Sequence, residues 1–192
     1  MKREFSDILY WQQQVAYFRN ENAYKQLYFH FYASLHRFTV AFLGDPEVSE
    51  EIVSDVMIRI WFMEEKLSNI NRLDLYLFKA VRNSALVYLR EKKPPIIYAE
   101  DFHQNLSGNF SADSRVNTNE IRSRIEALVL SLPPQTQLVF RLVKDEGLSY
   151  KEVQSVMGIS NNTIKTHIRI ALKRIQIGLE DFTNQTSREK IN

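Results

Sequence analysis

Asn161, Lys165, Arg169 and Lys173 recur every four residues. On a helix that spacing sets them in one stripe. Ile164, Ile168, Leu172 and Ile175 follow at intervals of four, four and three, which predicts a buried stripe on another face of the same helix. Between Asn161 and Arg174 there are four basic residues and no acid. An asparagine amide can pair with an adenine edge, and arginine or lysine with guanine or a phosphate. Asn162 and Thr163 open the segment, and Thr166 lies beside the stripe. Such a helix could read a DNA major groove if other elements seat it. A solvated basic face on a structural hairpin is the competing meaning of the same pattern. Other chemistry has little support. There is no cysteine, so thiol, thiolate-metal and disulfide chemistry are excluded. His30, His36, His103 and His167 do not fall at metal-ligand spacing. No Gly-rich phosphate loop, Ser/His/Asp arrangement or isolated carboxylate pair is present. We therefore expect no metal, no cofactor and no enzymatic activity.

The elements that would seat the helix are legible. Ser149-Tyr150-Lys151-Glu152 fits a capping box, in which serine caps the helix amides and glutamate reaches back. A short helix through Val153, Val156 and Met157 follows. Gly158 supplies a turn that tolerates positive φ, and Ser160 caps the long helix. Gln154 stands where the two helices are expected to cross. Upstream, Pro133-Pro134 opens a helix carrying Leu138, Leu142 and Val143, since proline is tolerated in a first turn. Ile121, Ile125 and Leu128 are spaced for one face of a helix that begins at Glu120.

The first half is also periodic at the helical interval. Residues 5–43 read as helix through Leu27, Phe31, Leu35 and Phe38. Gly44-Asp45-Pro46 interrupts. Glu47–Lys66 reads as a second long helix with Ile52, Val56, Ile60 and Met63 on one face. The polar stretch Leu67–Arg72 predicts a loop, and helix resumes over Asp74–Lys93. Pro94-Pro95 ends it, because proline lacks an amide hydrogen and clashes with the preceding turn. Residues 96–119 are aperiodic and rich in Asn, Ser and Asp, as suits a linker. The expected fold is all-α: two small helical domains, 5–93 and 120–182, joined by a flexible linker, 94–119.

Composition agrees. The 192 residues are 44% hydrophobic and 25% charged, with five glycines and five prolines. Few breakers favour helices. Net charge is +2, unevenly distributed. Residues 1–93 hold 13 basic and 12 acidic side chains, 94–120 hold 1 and 4, and 121–192 hold 11 and 7. A basic last third behind an acidic connector suggests a nucleic-acid partner. No apolar run approaches the roughly 20 residues of a membrane span. Met1–Asp7 is polar and mixed in charge, unlike a signal peptide. The expectation is a cytoplasmic protein without membrane insertion.

The string LPPQTQLVFRLVKDEGLSYKEVQSVMGISNNTIKTHIRIALKRI closely resembles the C-terminal domain of the sigma-70 family of RNA polymerase subunits, in its extracytoplasmic-function, group-four form. Leu132-Pro133, Phe140, Gly147-Leu148-Ser149-Tyr150, Glu152-Val153, Gly158-Ile159-Ser160, Thr163-Ile164-Lys165, His167 and Ala171 fall in step with the family pattern. The N-terminal half resembles the same family. Gly44-Asp45, Glu50-Glu51, Asp55-Val56 and Ile60-Trp61 match its core-polymerase-binding segment. LYLFKAVRNSALVYLR, with Arg82-Asn83, resembles its promoter-opening segment. Three positions depart from the pattern: Ser54 for glutamine, Gln137 for arginine, and Gln154 for a small alanine.

The resemblance implies a sigma factor that binds core RNA polymerase and directs it to promoter DNA. Asp55, Ile58, Arg59 and Phe62 would meet the clamp of the large polymerase subunit. Trp61, on the same helix, is expected in the core. Asn69 and Asn71, on a loop where the family holds an unstacked base, and Asn83 would contact the minus-ten element, with Lys79 and Arg82 on its backbone. An asparagine amide both donates and accepts, which suits a base edge. Tyr76, Phe78 and Tyr88 are expected as core aromatics. The long helix, through Asn161, Asn162, Thr163, Lys165, Thr166, Arg169 and Lys173, would meet the minus-thirty-five element. An anti-sigma factor is a further implied partner. The alternative is a two-component-type helix-turn-helix regulator, which would need a receiver domain of alternating strands and helices.

Overall fold

A computed structural model describes residues 2–92 and 118–189, less some side chains near the ends. The expected linker thus lies almost wholly outside the described residues. The chain divides into two compact units, Met1–Ile97 and Tyr98–Asn192. Every described element is a helix.

The first unit begins with α1, Lys2–Phe18, and α2, Glu21–Leu43. Periodicity alone reads these as one helix. The chain instead turns at Arg19, whose φ is 51°, and Asn20 then caps α2 by accepting from the Ala23 amide. Neither glycine nor proline marks this break. Asn20 is an ordinary N-cap residue, and its oxygen satisfies an amide that the first helical turn leaves free. The break at Gly44 is the one expected: its φ of 76° closes α2, and Asp45 caps α3, Pro46–Phe62. The expected helix Glu47–Lys66 stops at Phe62. A 3-10 turn, Glu64–Asn69, follows, and α4 spans Leu73–Lys92.

Helix α2 packs against α1, α3 and α4. Its Leu27, Phe31, Leu35 and Phe38 meet Val53, Val56, Met57 and Ile60 of α3 and Leu77, Phe78 and Val81 of α4 in a buried core. Phe38 and Phe78 pack edge to face, 5.3 Å apart. Phe78 is therefore core, as expected. Each such side chain removed from water stabilises the fold by about 1.5–3 kcal/mol before entropy is counted.

The second unit holds α5, Thr118–Leu130, α6, Pro134–Lys144, α7, Tyr150–Met157, and α8, Asn161–Glu189. Helix α8 is the common support, packing on α5, α6 and α7. On α5 the expected face is shifted: Val129 is buried and Ile121 is exposed. Arg141 of α6 pairs with Glu126 of α5 and, at 3.0 Å, with Asp145.

Candidate nucleic-acid and polymerase interfaces

Two caps and a glycine position α8. The capping box at Ser149 and Glu152 is formed: the Glu152 amide donates to Ser149 Oγ, and the Ser149 amide donates to the Glu152 carboxylate at 2.7 Å. Gly158, φ 71°, ends α7 and turns the chain. Ser160 Oγ accepts from the Thr163 amide at 3.1 Å and starts α8. Val153, Val156 and Met157 of α7 are buried with Ile164, Ile168, Ala171 and Ile175 of α8. The buried stripe thus runs four, three, four. Leu172, expected in it, is 47% exposed, and Ala171 takes its place. At 3.6 residues per turn a second successive step of four carries the position round to the solvent side. Gln154 is exposed, so the glutamine at the family's alanine position does not enter the crossing. Gln137 is buried on α6.

On the other face Asn161, Asn162, Thr163, Lys165, Thr166, Arg169 and Lys173 are all exposed. Among the described residues Lys165, Arg169 and Lys173 make no ion pair. Two hydroxyls are committed locally. Thr163 Oγ1 lies 2.8 Å from Ser160 Oγ, and Thr166 Oγ1 donates to the Asn162 carbonyl at 3.0 Å. Asn161, Lys165, Arg169 and Lys173 are thereby the outward-facing polar groups of the stripe.

His167 faces α6, where Nδ1 shares a 2.9 Å hydrogen bond with the buried Thr136 Oγ1. Burial holds its imidazole below the ordinary histidine pKa. Above about pH 6.5 the folded and unfolded chains both carry it neutral. As pH falls through that value the unfolded chain takes the proton first, and stability declines until pH passes the lower folded value. The thermal midpoint should therefore drop more for the natural chain than for His167→Asn between about pH 7.5 and about pH 5.5. Equal drops would remove His167 as the source.

In the first unit the candidate minus-ten residues stand on the 3-10 turn, the bend after it, and α4. Asn69, Asn71 and Asn83 are exposed and Lys79 half-buried. Arg82 is half-buried. Its Nε is enclosed without a hydrogen-bond partner among the described residues, and desolvation lowers its pKa. Arg72 grips Asp74 through two bonds, at 3.0 and 2.7 Å, where α4 begins.

The candidate polymerase residues separate into two sets. Asp55, Ile58 and Phe62 share one exposed line of α3, with Ile58 48% and Phe62 69% exposed. Arg59 leaves that line: its Nη2 donates to Ser84 Oγ of α4 at 2.9 Å and its Nε to the Asp55 carbonyl at 3.4 Å. Trp61, expected in the core, is half-buried instead. It packs edge to face with Tyr24 at 5.1 Å, beneath the Arg19 guanidinium at 4.3 Å, and lines an open pocket with Glu21, Lys25, Ile58 and Phe62. Tyr24 belongs to a feature that reading for buried stripes missed. Tyr24, Tyr28, Tyr32 and His36 run every four residues along α2, with Tyr28 on Tyr32 and Tyr32 on His36 stacked at 5.1 and 5.7 Å. The spacing was available as the signal.

The chain is a helical unit and a helix-turn-helix unit in sequence, and comparison with known proteins gives their family. Residues 27–94 match the model of Sigma-70 region 2, and residues 122–175 that of Sigma-70, region 4. The chain belongs to the sigma-70 family and is a sigma factor of the extracytoplasmic-function type. It is 21% identical over 151 residues to the ECF RNA polymerase sigma factor SigM of Bacillus subtilis, covering 79% of this chain and 91% of SigM. It is 24% identical over 127 residues to the RNA polymerase sigma factor SigZ of the same species, covering 66% and 70%. The fold is similar to that of CnrH, solved in complex with the cytosolic domain of CnrY. That likeness has a TM-score of 0.53 and 17% identity, over 91% of this chain and 98% of CnrH. Sigma factors direct RNA polymerase and are not enzymes. A two-component regulator is not favoured, because region 2 occupies the place a receiver would need. Among the described residues no helix is long and apolar enough to cross a membrane.

Proposed function

We propose that the chain acts in the cytoplasm, binding core RNA polymerase through residues 5–93, opening promoters at the minus-ten element with the same domain, and reading the minus-thirty-five element through residues 120–182. Residues 94–119 serve as the linker. The observation that carries this reading is the α8 stripe. Asn161, Lys165 and Arg169 stand exposed on the helix that a glycine turn and two serine caps seat, and among the described residues no acidic side chain pairs with Lys165 or Arg169. A helix so charged on its outer face finds its counter-charge in phosphate and its specificity in base edges.

In the first domain, Asn69, Asn71 and Asn83 offer exposed amides to unpaired bases. Lys79 and Arg82, both half-buried on α4, are the cations of this domain placed for phosphate. Asp55, Ile58 and Phe62 form the surface for the polymerase clamp. An anti-sigma factor is the regulator that the family implies.

In vitro transcription with purified core polymerase and a panel of promoters tests the reading as a whole. A chain that supports no promoter-dependent initiation from any of them overturns it. A finer test addresses opening. Holoenzyme carrying Asn83→Ala should still locate promoters but open them several-fold less in a permanganate footprint, as expected on losing one base contact of about 1–3 kcal/mol. Normal opening would falsify the role given to Asn83.

A further inference from the structure

Helix α1 lies ahead of the region that matches Sigma-70 region 2, yet it holds the candidate base-reading loop in shape. Gln12 is only 2% exposed. Its Nε2 donates to the Leu67 carbonyl at 2.6 Å and to the Ile70 carbonyl at 2.8 Å. An amide nitrogen has two hydrogens, and here each goes to one carbonyl. The two carbonyls flank Ser68 and Asn69. A second tether comes from the C-terminal end of α1. Tyr17 Oη donates to Ser68 Oγ at 2.9 Å, and Ser68 Oγ donates to the Glu65 carbonyl at 2.6 Å.

These bonds answer a local need. The Leu67 carbonyl accepts from the Ile70 amide at 3.2 Å and has a second lone pair left to satisfy. Leu67 is wholly buried, so water cannot serve its carbonyl freely. A purely structural solution would place a leucine at position 12 among its buried neighbours Val15 and Ala16 and leave the turn to solvent. A buried amide instead costs desolvation unless every bond is made, and in return it admits one loop geometry. The result is a loop whose backbone is pinned on both sides of Asn69 while the Asn69 side chain stands exposed.

We propose that α1 is part of the promoter-reading site, with Gln12 a positioning residue that presents Asn69 and Asn71 to an unpaired base and Tyr17 a second tether of the same loop. The proposal rests on the reading of that loop given above. A loop ordered in advance spares the binding step the entropy of ordering it. Loss of Gln12 should therefore blur base preference more than it weakens polymerase assembly.

The test uses holoenzymes of the full chain on a promoter library randomised across the minus-ten element, with the minus-thirty-five element fixed. Asn69→Ala and Asn71→Ala define which base position the loop reads. Gln12→Leu, close in volume but without the amide, should lose about tenfold in preference at that same position, a value within the range of one base contact. Its affinity for core should remain that of the natural chain. Tyr17→Phe removes only an exposed hydroxyl and should give a smaller loss at the same position, which keeps the test open if Gln12→Leu fails to fold. Preference unchanged in Gln12→Leu and Tyr17→Phe, or lowered equally at every position, while the asparagine variants alter one position, overturns the positioning role alone. A flat response to both asparagine variants overturns the loop reading, and the proposal with it.

Discussion

Assembly with core RNA polymerase should weaken by about a hundredfold when Ile58 and Phe62 are both replaced by alanine. These two side chains leave 48% and 69% of their surface in water, on the same line of α3 as the exposed carboxylate of Asp55. Apolar surface of that size, held on a rigid helix, is the kind a partner covers. Full burial of a large aliphatic or aromatic side chain is worth about 1.5–3 kcal/mol. Half to two-thirds of that, for two residues, comes to about 3 kcal/mol, or a hundredfold in dissociation constant. Folding should be untouched, because alanine is the better helix former and neither side chain is core. Arg59→Ala should behave differently. Its guanidinium is spent on Ser84 of α4, so its loss loosens the α3–α4 packing before it reaches any partner. The measurement is a titration of labelled protein with purified core, beside circular dichroism of each variant. Undiminished affinity of the double variant would take this face out of the polymerase interface.

The contrast between Ile58 and Arg59 marks where sequence reading stops. Breaks encoded locally were legible. Gly44-Asp45-Pro46 reads as an interruption, and the structure makes that break with a left-handed closure, a cap and an N1 proline in three successive residues. The Ser149–Glu152 capping box and the Gly158 turn are equally local. The break at Arg19-Asn20 was missed because its only mark is one asparagine, a residue that helices also tolerate. Ala171 takes the place expected for Leu172 because intervals of three and four both satisfy a helical pattern, and only the helices packed on α8 decide between them. Arg59 and Gln12 lay further out of reach. Their partners are 25 and 55 residues away, and no periodicity announces a hydrogen bond across such a distance. Trp61 failed for a related reason: a large aromatic at core spacing meets solvent because Tyr24 and Arg19 cover only part of it. The α8 stripe was legible, since its members lie on a face away from the buried positions, and those positions shifted by only one residue.

Arg169→Ala and Lys173→Ala should fail in different ways. Both side chains are exposed and neither is paired within the described residues, so neither removal should unfold the second unit. Arg169 lies two helical turns from Asn161 and Lys173 three, which carries Lys173 toward the edge of a groove. A bidentate arginine contact to a base is worth roughly 1–3 kcal/mol of discrimination at one position. A phosphate contact carries no sequence information and contributes about one unit to the salt slope. Arg169→Ala should thus change which promoters are used, relaxing preference at one base of the minus-thirty-five element about fivefold to a hundredfold. Lys173→Ala should lower use of all sequences alike and flatten the salt dependence. The measurement is transcription across a randomised minus-thirty-five library at several salt concentrations. If Arg169→Ala lowers every sequence equally, it sits on phosphate and the reading face of α8 is rotated away from Arg169. If neither substitution has an effect, the stripe is a solvated face, and the second unit docks through other residues.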